Sequence, residues 1–317
     1  MNDSGTRDDL GLVFPGQGSQ SVGMLAELGA AFDTVRATFD TASGVLGYDL
    51  WRRIQEGPAE QLNQTSCTQP AMLAAGVAVW RCWREQGGPL PAVMAGHSLG
   101  EYTALVCAGA LDFADAVGLV ERRGREMQAA VAEGSGAMAA VLGLDDDQVV
   151  ALCQEAAAGE VVSAVNFNSP GQVVIAGDTA AVERAMALAR AAGARRALRL
   201  PVSVPSHCAL MKPAAERFAD ALADVRIEAP SIPVLHNVDV TTHDEPDAIR
   251  EALARQLYSP VRWVETVQAM TGRGVHTLVE AGPGKVLTGL NKRIDKSLEA
   301  LVVQTPDDLH KALQTLQ

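Results

Sequence analysis

The sequence predicts an α/β protein: a large domain on a mostly parallel sheet, at 10–130 and 201–317, with a small domain inserted at 131–200. Three observations lead there. Short apolar runs alternate with longer stretches of helical periodicity, the pattern of a parallel sheet covered on both faces. From about 136 to 200 the texture changes to short paired strands and two helices. A chain of 317 residues is long for one compact domain and short for three.

The first apolar run, 10–14, ends at Pro15-Gly16 and reads as a buried strand entering a loop. Helical patterning follows at 22–40. A second helix is expected at 70–86, where Ala71, Leu73, Ala74, Val77, Ala78 and Trp80 supply an apolar stripe. Residues 91–95 form another short strand, and the alanine-rich stretch 101–110 a buried helix. In the inserted region a strand at 137–144 precedes an acidic-started helix at 145–158. Strands at 161–165 and 173–176 flank the turn Asn168-Ser169-Pro170-Gly171. A helix at 180–192 and a strand at 195–200 complete the unit. That order, β-α-β-β-α-β, is the ferredoxin-like pattern. No long-period repeat or low-complexity tract is evident.

A net charge of −12 argues against general nucleic-acid binding, because a phosphate backbone needs a basic face. It leaves room for a local basic patch that meets an acidic partner. Cys67, Cys82, Cys107, Cys153 and Cys208 are odd in number and lack C-x-x-C spacing, so neither a disulfide framework nor a zinc site is expected. Residues 1–9 are polar and acidic, unlike a signal peptide, and no apolar run reaches the ~20 residues of a membrane span. These features predict a cytoplasmic protein with a short disordered N-terminus.

Gly96-His97-Ser98-Leu99-Gly100 satisfies G-x-S-x-G. A strand precedes it and a helix follows, as a nucleophile elbow requires. The flanking glycines relieve crowding at a tight turn, and the N–H of Leu99 opens the helix toward a developing oxyanion. The plainer alternative is a glycine-rich turn with an incidental serine.

A serine hydroxyl needs a base within hydrogen-bond reach. Of six histidines, His97 adjoins Ser98 and should point elsewhere. His243 lies in an acidic loop and His310 in a C-terminal amphipathic helix, both expected in solvent. His236 and His276 accompany apolar runs and read as ordinary buried histidines. His207 follows Pro201-Val202-Ser203-Val204-Pro205-Ser206, whose prolines would stiffen the loop and aim the ring. It fits a base. No carboxylate stands out as a third member, so a backbone carbonyl or an amide could orient the ring. The loop Pro15-Gly16-Gln17-Gly18-Ser19-Gln20 is not a dinucleotide fingerprint, because Ser21 stands where the third glycine belongs. It reads as a backbone donor loop or simply a tight turn. Gly282-Pro283-Gly284-Lys285 lacks phosphate-loop spacing and reads as a turn or helix cap.

Several segments together resemble one family. They are Val13-Phe14-Pro15-Gly16-Gln17-Gly18-Ser19-Gln20, Gly96-His97-Ser98-Leu99-Gly100-Glu101-Tyr102, Arg123-Gly124, Asn166-Phe167-Asn168-Ser169-Pro170-Gly171-Gln172, Pro205-Ser206-His207, Gln256-Leu257-Tyr258-Ser259-Pro260-Val261 and Glu280-Ala281-Gly282-Pro283-Gly284. In this order and spacing, over about 10–294, the chain resembles the malonyl-CoA:acyl carrier protein transacylases of fatty acid synthesis. The resemblance implies an α/β-hydrolase-like large domain with a ferredoxin-like insertion. It implies Ser98 as the malonyl carrier and His207 as general base, then acid. Gln17 and Leu99 would donate backbone N–H groups to the oxyanion, and the Gln256 main-chain carbonyl would orient His207. Arg123 would hold the free carboxylate of malonate, with Asn166 also at the substrate. No bound cofactor is implied: malonyl-CoA is the substrate and the phosphopantetheine of acyl carrier protein the acceptor, with the enzyme monomeric.

By itself Arg123, between Arg122 and Arg125, reads as a surface helix arginine. Its implied role has a clear basis: a guanidinium fork binds a carboxylate through two charge-assisted hydrogen bonds. An acetyl group would leave it unpaired. Ser66-Cys67 departs from the family, where a bulky aromatic is common before the Thr68-Gln69-Pro70-Ala71 stretch. Val204-Pro205-Ser206-His207-Cys208 fits the fatty-acid enzymes rather than methylmalonyl-selective polyketide domains. For an acidic carrier, Arg195, Arg196, Lys292 and Arg293 are candidate docking residues, or ordinary solvated charges. A serine hydrolase and a non-catalytic carrier-binding scaffold are the rival readings, as is an acyltransferase serving a polyketide carrier.

Overall fold

In the computed structural model, residues 5–202 and 204–317 are described. The sheet of the larger layer has five parallel strands: β1 (Thr6–Phe14), β2 (Leu90–Gly96), β7 (Val234–Leu235), β8 (Thr277–Ala281) and β9 (Glu299–Val303). Their spatial order is β7-β2-β1-β8-β9. The second sheet is antiparallel, ordered β4-β5-β3-β6, from β3 (Gly136–Leu142), β4 (Val162–Ser169), β5 (Gln172–Asp178) and β6 (Arg196–Arg199). The protein is thus mixed α/β, with one parallel and one separate antiparallel sheet.

β1 lies at the centre of the parallel sheet because its second half, Leu10 to Phe14, is buried on both faces. Its first half corrects the expectation of disorder over 1–9. Thr6 and Arg7 already pair with Leu90 and Pro91, and Arg7 bonds Asp9 at 2.7 Å. These residues are polar because the strand there is partly exposed, not because it is unstructured. Residues 1–4 lie outside the described residues, as does Ser203.

Helices flank the sheet and bury their apolar stripes against it. The stretch expected as one helix at 22–40 is two, Ala26–Ala31 and Asp33–Leu46, because Phe32 is extended (φ −133°, ψ 115°). The next long helix spans Thr65–Glu85, starting before the expected 70. Pro70 suggests a first turn, yet sits in the second, where its missing N–H leaves the Ser66 carbonyl without a helical donor. The Gly100–Cys107 and Phe113–Ala129 helices follow β2.

In the antiparallel sheet, side chains alternate between two faces. Ala137, Ala139, Val141, Val173 and Ile175 pack on the helices Asp146–Ala157 and Thr179–Ala191. Met138, Val174 and Ala176 face the other way and pack with Val165 and Cys208, beside Leu200 and Val202. The hairpin between β4 and β5 is tighter than expected: Asn168 and Ser169 belong to the strand, leaving Pro170-Gly171 as the loop. Among the described residues, no helix is long and apolar enough to cross a membrane.

Candidate active site

β2 ends at Gly96 and the next helix starts at Gly100, so Ser98 lies in the middle of a three-residue turn between them. Its φ of 52° is a conformation that non-glycine residues rarely hold, the strain typical of a functional position. The turn is backed closely by the loop after β1. A Cβ at Gly100 would lie 2.0 Å from the Phe14 carbonyl oxygen, and one at Gly16 would lie 2.4 Å from the His97 carbonyl oxygen. Asn237 ties the turn from below: its Oδ1 accepts the Ser98 N–H at 2.7 Å, and its Nδ2 donates to the Gly96 carbonyl at 2.7 Å.

His207 approaches from a second loop and is also left-handed, with φ 66°. Its N–H donates to the Leu257 carbonyl at 2.9 Å. The ring Nε2 lies 2.8 Å from Ser98 Oγ and Nδ1 lies 2.7 Å from the Gln256 main-chain carbonyl. A carbonyl only accepts, so Nδ1 carries the proton and Nε2 offers its lone pair to the serine hydroxyl. Burial, then the nearby Arg123 charge, pushes the His207 pKa down to about 3. The ring is therefore neutral at pH 7, the state a base requires.

Arg123 is not a surface arginine. It is 1 % exposed, whereas the side chains of Arg122 and Arg125 are 51 % and 69 % exposed and pair with Glu126 and Glu121. Nη1 donates to Gln69 Oε1 at 2.8 Å, and Nη2 to Gln256 Oε1 at 2.9 Å and Ser98 Oγ at 3.3 Å. The guanidinium also stands 5.3 Å over the Tyr102 ring, and its buried Nε has no hydrogen-bond partner among the described residues. Among the described residues it pairs with no carboxylate. Burial lowers its pKa, but a guanidinium stays charged. Gly124 lets this happen: a Cβ there would lie 2.7 Å from Ser66 Cα, so the two helices approach closely enough for Arg123 to reach Gln69.

These groups open into a cleft between the two sheets, holding a cavity of about 220 Å³. Its polar wall includes Gln17, Ser98, Arg123, Asn166, Asn168 and His207. The N–H groups of Gln17 and Leu99 have no acceptor among the described residues. That of Leu99 precedes the first turn of the helix after the elbow, where unpaired N–H groups and the helix dipole favour negative charge. β4 carries a bulge between Ala164 and Asn166, which breaks the alternation and turns Asn166 to the cleft. Asn168 Oδ1 meets His97 Nε2 at 2.8 Å. His97 is half-buried, and burial lowers its pKa.

The structure brings Gln17, Ser98, Leu99, Arg123, Asn166, His207 and Gln256 together. It leaves Arg195, Arg196 and Lys292 exposed; Arg293 is also exposed but bonds Gln172 Oε1 at 2.7 Å beside the cleft. His236 is buried as expected, but His276 is exposed, a correction: it sits where the chain enters β8 and its backbone, not its ring, joins the sheet. His243 is only partly solvated, its ring 5.0 Å from that of His236. Gly282-Pro283-Gly284 is a turn before the helix Val286–Ile294, whose first N–H groups are taken by Glu280. The roles of Asn168 and Asn237 at the site were not evident from the sequence. Asn168 is hidden by the irregular β4, and Asn237 lies 139 positions from the serine it holds.

The acyl transferase domain family model matches residues 12–306. The malonyl CoA-acyl carrier protein transacylase of Escherichia coli K12 is 62 % identical over 95 % of this chain and 98 % of that protein. The Bacillus subtilis protein of that name is 44 % identical over 97 % of each chain. An acyl carrier protein S-malonyltransferase structure from Vibrio cholerae superposes with a TM-score of 0.94 at 60 % identity, covering 96 % of this chain and 99 % of that one. A malonyl-transacylase solved in complex with its type II PKS acyl-carrier protein gives 0.96 at 58 %, over 97 % and 99 %. The chain therefore belongs to the acyl transferase domain family, among the malonyl CoA-acyl carrier protein transacylases.

Proposed function

We propose that this protein moves the malonyl group from malonyl-CoA to the phosphopantetheine thiol of acyl carrier protein through a malonyl-Ser98 ester. The observation that carries this reading is a buried guanidinium that no carboxylate touches among the described residues, one hydrogen bond from an activated serine. An unpaired buried cation is costly, so the site is built for an acyl group that brings its own carboxylate.

Ser98 Oγ attacks the thioester carbonyl while His207 Nε2 takes its proton. The N–H groups of Gln17 and Leu99 receive the oxyanion. The C–S bond breaks, the coenzyme A thiolate takes the proton from His207, and the ester remains. The carrier thiol then gives its proton to His207, attacks the ester and leaves as the malonyl thioester, with the proton returned to Ser98. The Gln256 carbonyl steadies the imidazolium formed in each half, replacing the acid of other triads. Asn166 lines the acyl pocket. Nucleophile, base, oxyanion donors and carboxylate ligand all come from one chain, so a monomer without a resident cofactor suffices. The free cysteines suit a reducing cytoplasm.

In the same reading, the large domain at 10–130 and 201–317 is α/β-hydrolase-like, supported by the strand-elbow-helix unit. The unit at 131–200 is ferredoxin-like, supported by its element order and antiparallel sheet. We place the reaction in fatty acid biosynthesis, with a polyketide carrier as the alternative that the complexed relative's name suggests. Initial rates with both substrates varied test the ping-pong order. Parallel double-reciprocal lines are expected, and isolated acyl-enzyme should pass its malonyl group to carrier. Intersecting lines, or hydrolysis faster than transfer to the thiol, would point to a ternary complex or a hydrolase.

A further inference from the structure

One carboxylate beneath the site is not used by the chemistry above. Glu101 lies in the first turn of the helix after the elbow and is fully buried. Its Oε1 bonds His236 Nδ1 at 2.8 Å. Its Oε2 accepts the Asn237 N–H at 2.9 Å and Gln256 Nε2 at 2.8 Å. Arg123 meets the same Gln256 amide from its other side. A carboxylate taken out of water needs several donors, and here two of the three, Asn237 and Gln256, belong to residues that hold the reacting groups.

We propose that Glu101 is the positioning residue of the acyl site, setting the orientation of the Gln256 amide and so the hold on Arg123. This rests on the acyl-transfer reading given above. Glu101 Oε2 already accepts the Asn237 N–H, so it meets the amide as an acceptor. The end of the Gln256 amide that faces it must therefore be the NH2, which also donates to the Ser98 carbonyl at 2.9 Å. The amide oxygen is thereby turned to Arg123 Nη2 at 2.9 Å. A flipped amide would set two donors face to face at the guanidinium and two acceptors at Glu101. The same carboxylate pins the Asn237 backbone, whose side chain spans the elbow from Ser98 N–H to the Gly96 carbonyl. Glu101 is thus an acid one residue removed from the usual triad place: it reaches His207 through the residue whose carbonyl holds the ring. His236 completes the set, donating from Nδ1 while its buried Nε2 has no partner among the described residues.

The test is acylation of Ser98 by malonyl-CoA and by acetyl-CoA in wild type and Glu101→Gln, read by intact mass over time. The variant is isosteric but offers its own NH2, so the Gln256 amide loses its one-way constraint. The malonyl-to-acetyl rate ratio should fall about tenfold or more, with the acetyl rate the less affected. Should circular dichroism show Glu101→Gln unfolded, His236→Leu should lower the same ratio, and His236→Asn, which can donate from the place of Nδ1, should restore it. A folded variant with an unchanged ratio overturns the proposal, as does an equal fall for both substrates. A wild type that takes up no malonyl group fails earlier, by sinking the acyl-transfer reading itself.

Discussion

At the residue scale the central relation is between Arg123 and His207. In the proposed reaction the guanidinium holds the substrate and burdens the base: its charge, after burial, is the next cause of the depressed His207 pKa. On that proposal a malonyl carboxylate bound at Arg123 would offset that charge and make His207 a stronger base as the substrate docks. An acetyl group gives no such help. Two outcomes follow for Arg123→Ala. Malonyl transfer, measured as kcat/KM, should fall at least about 100-fold, while acetyl transfer falls far less. Removing a positive charge favours the imidazolium, so the His207 pKa should rise. The acid limb of kcat/KM against pH, low in the wild type, should then move to higher pH. A limb that stays in place would separate the two residues electrostatically.

At the scale of elements, the site depends on backbone packed against backbone. The strand-turn-helix around Ser98 was legible in the sequence because glycine is required there, and the 2.0 Å approach to Phe14 shows why. Gly100→Ala should destabilise the fold by about 3 kcal/mol, measured by urea denaturation, since no flexible side chain can yield. A neutral result would mean that the β1 loop shifts freely. Other elements were less legible. The strand at Thr6–Phe14 was cut short because the exposed end of a central strand looks like a disordered tail. The helix break at Phe32 leaves the apolar period unchanged, so periodicity alone does not report it. Asn166 and Asn168 face the cleft through irregular pairing in β4, which no alternation rule foresees.

For the whole molecule, the cleft runs between two sheets that must present one surface to a carrier. Net charge is −12, yet Arg195 and Arg196 remain exposed at the start of β6, and Lys292 on the Val286–Ile294 helix that packs beside β4. Reversing the three to Glu should raise the carrier KM about tenfold and flatten its salt dependence, an effect confined to the second half-reaction. An unchanged carrier KM would remove them from the docking surface. Sequence alone placed Ser98 and a plausible base, because the motif and the prolines are local signals. It read Arg123 as solvent-facing, because burial of one arginine among three depends on the Phe113–Ala129 helix meeting its neighbour at Gly124. The support from Asn237 and Glu101 comes from tertiary contacts across more than 130 positions.

The most direct test is the intact mass of the protein after mixing with malonyl-CoA. A single malonyl adduct is expected on the wild type, none on Ser98→Ala, and weak labelling from acetyl-CoA. An adduct that survives Ser98→Ala, or equal labelling by the two thioesters, would contradict the assignment of a malonyl-carrying serine beside a carboxylate-binding arginine.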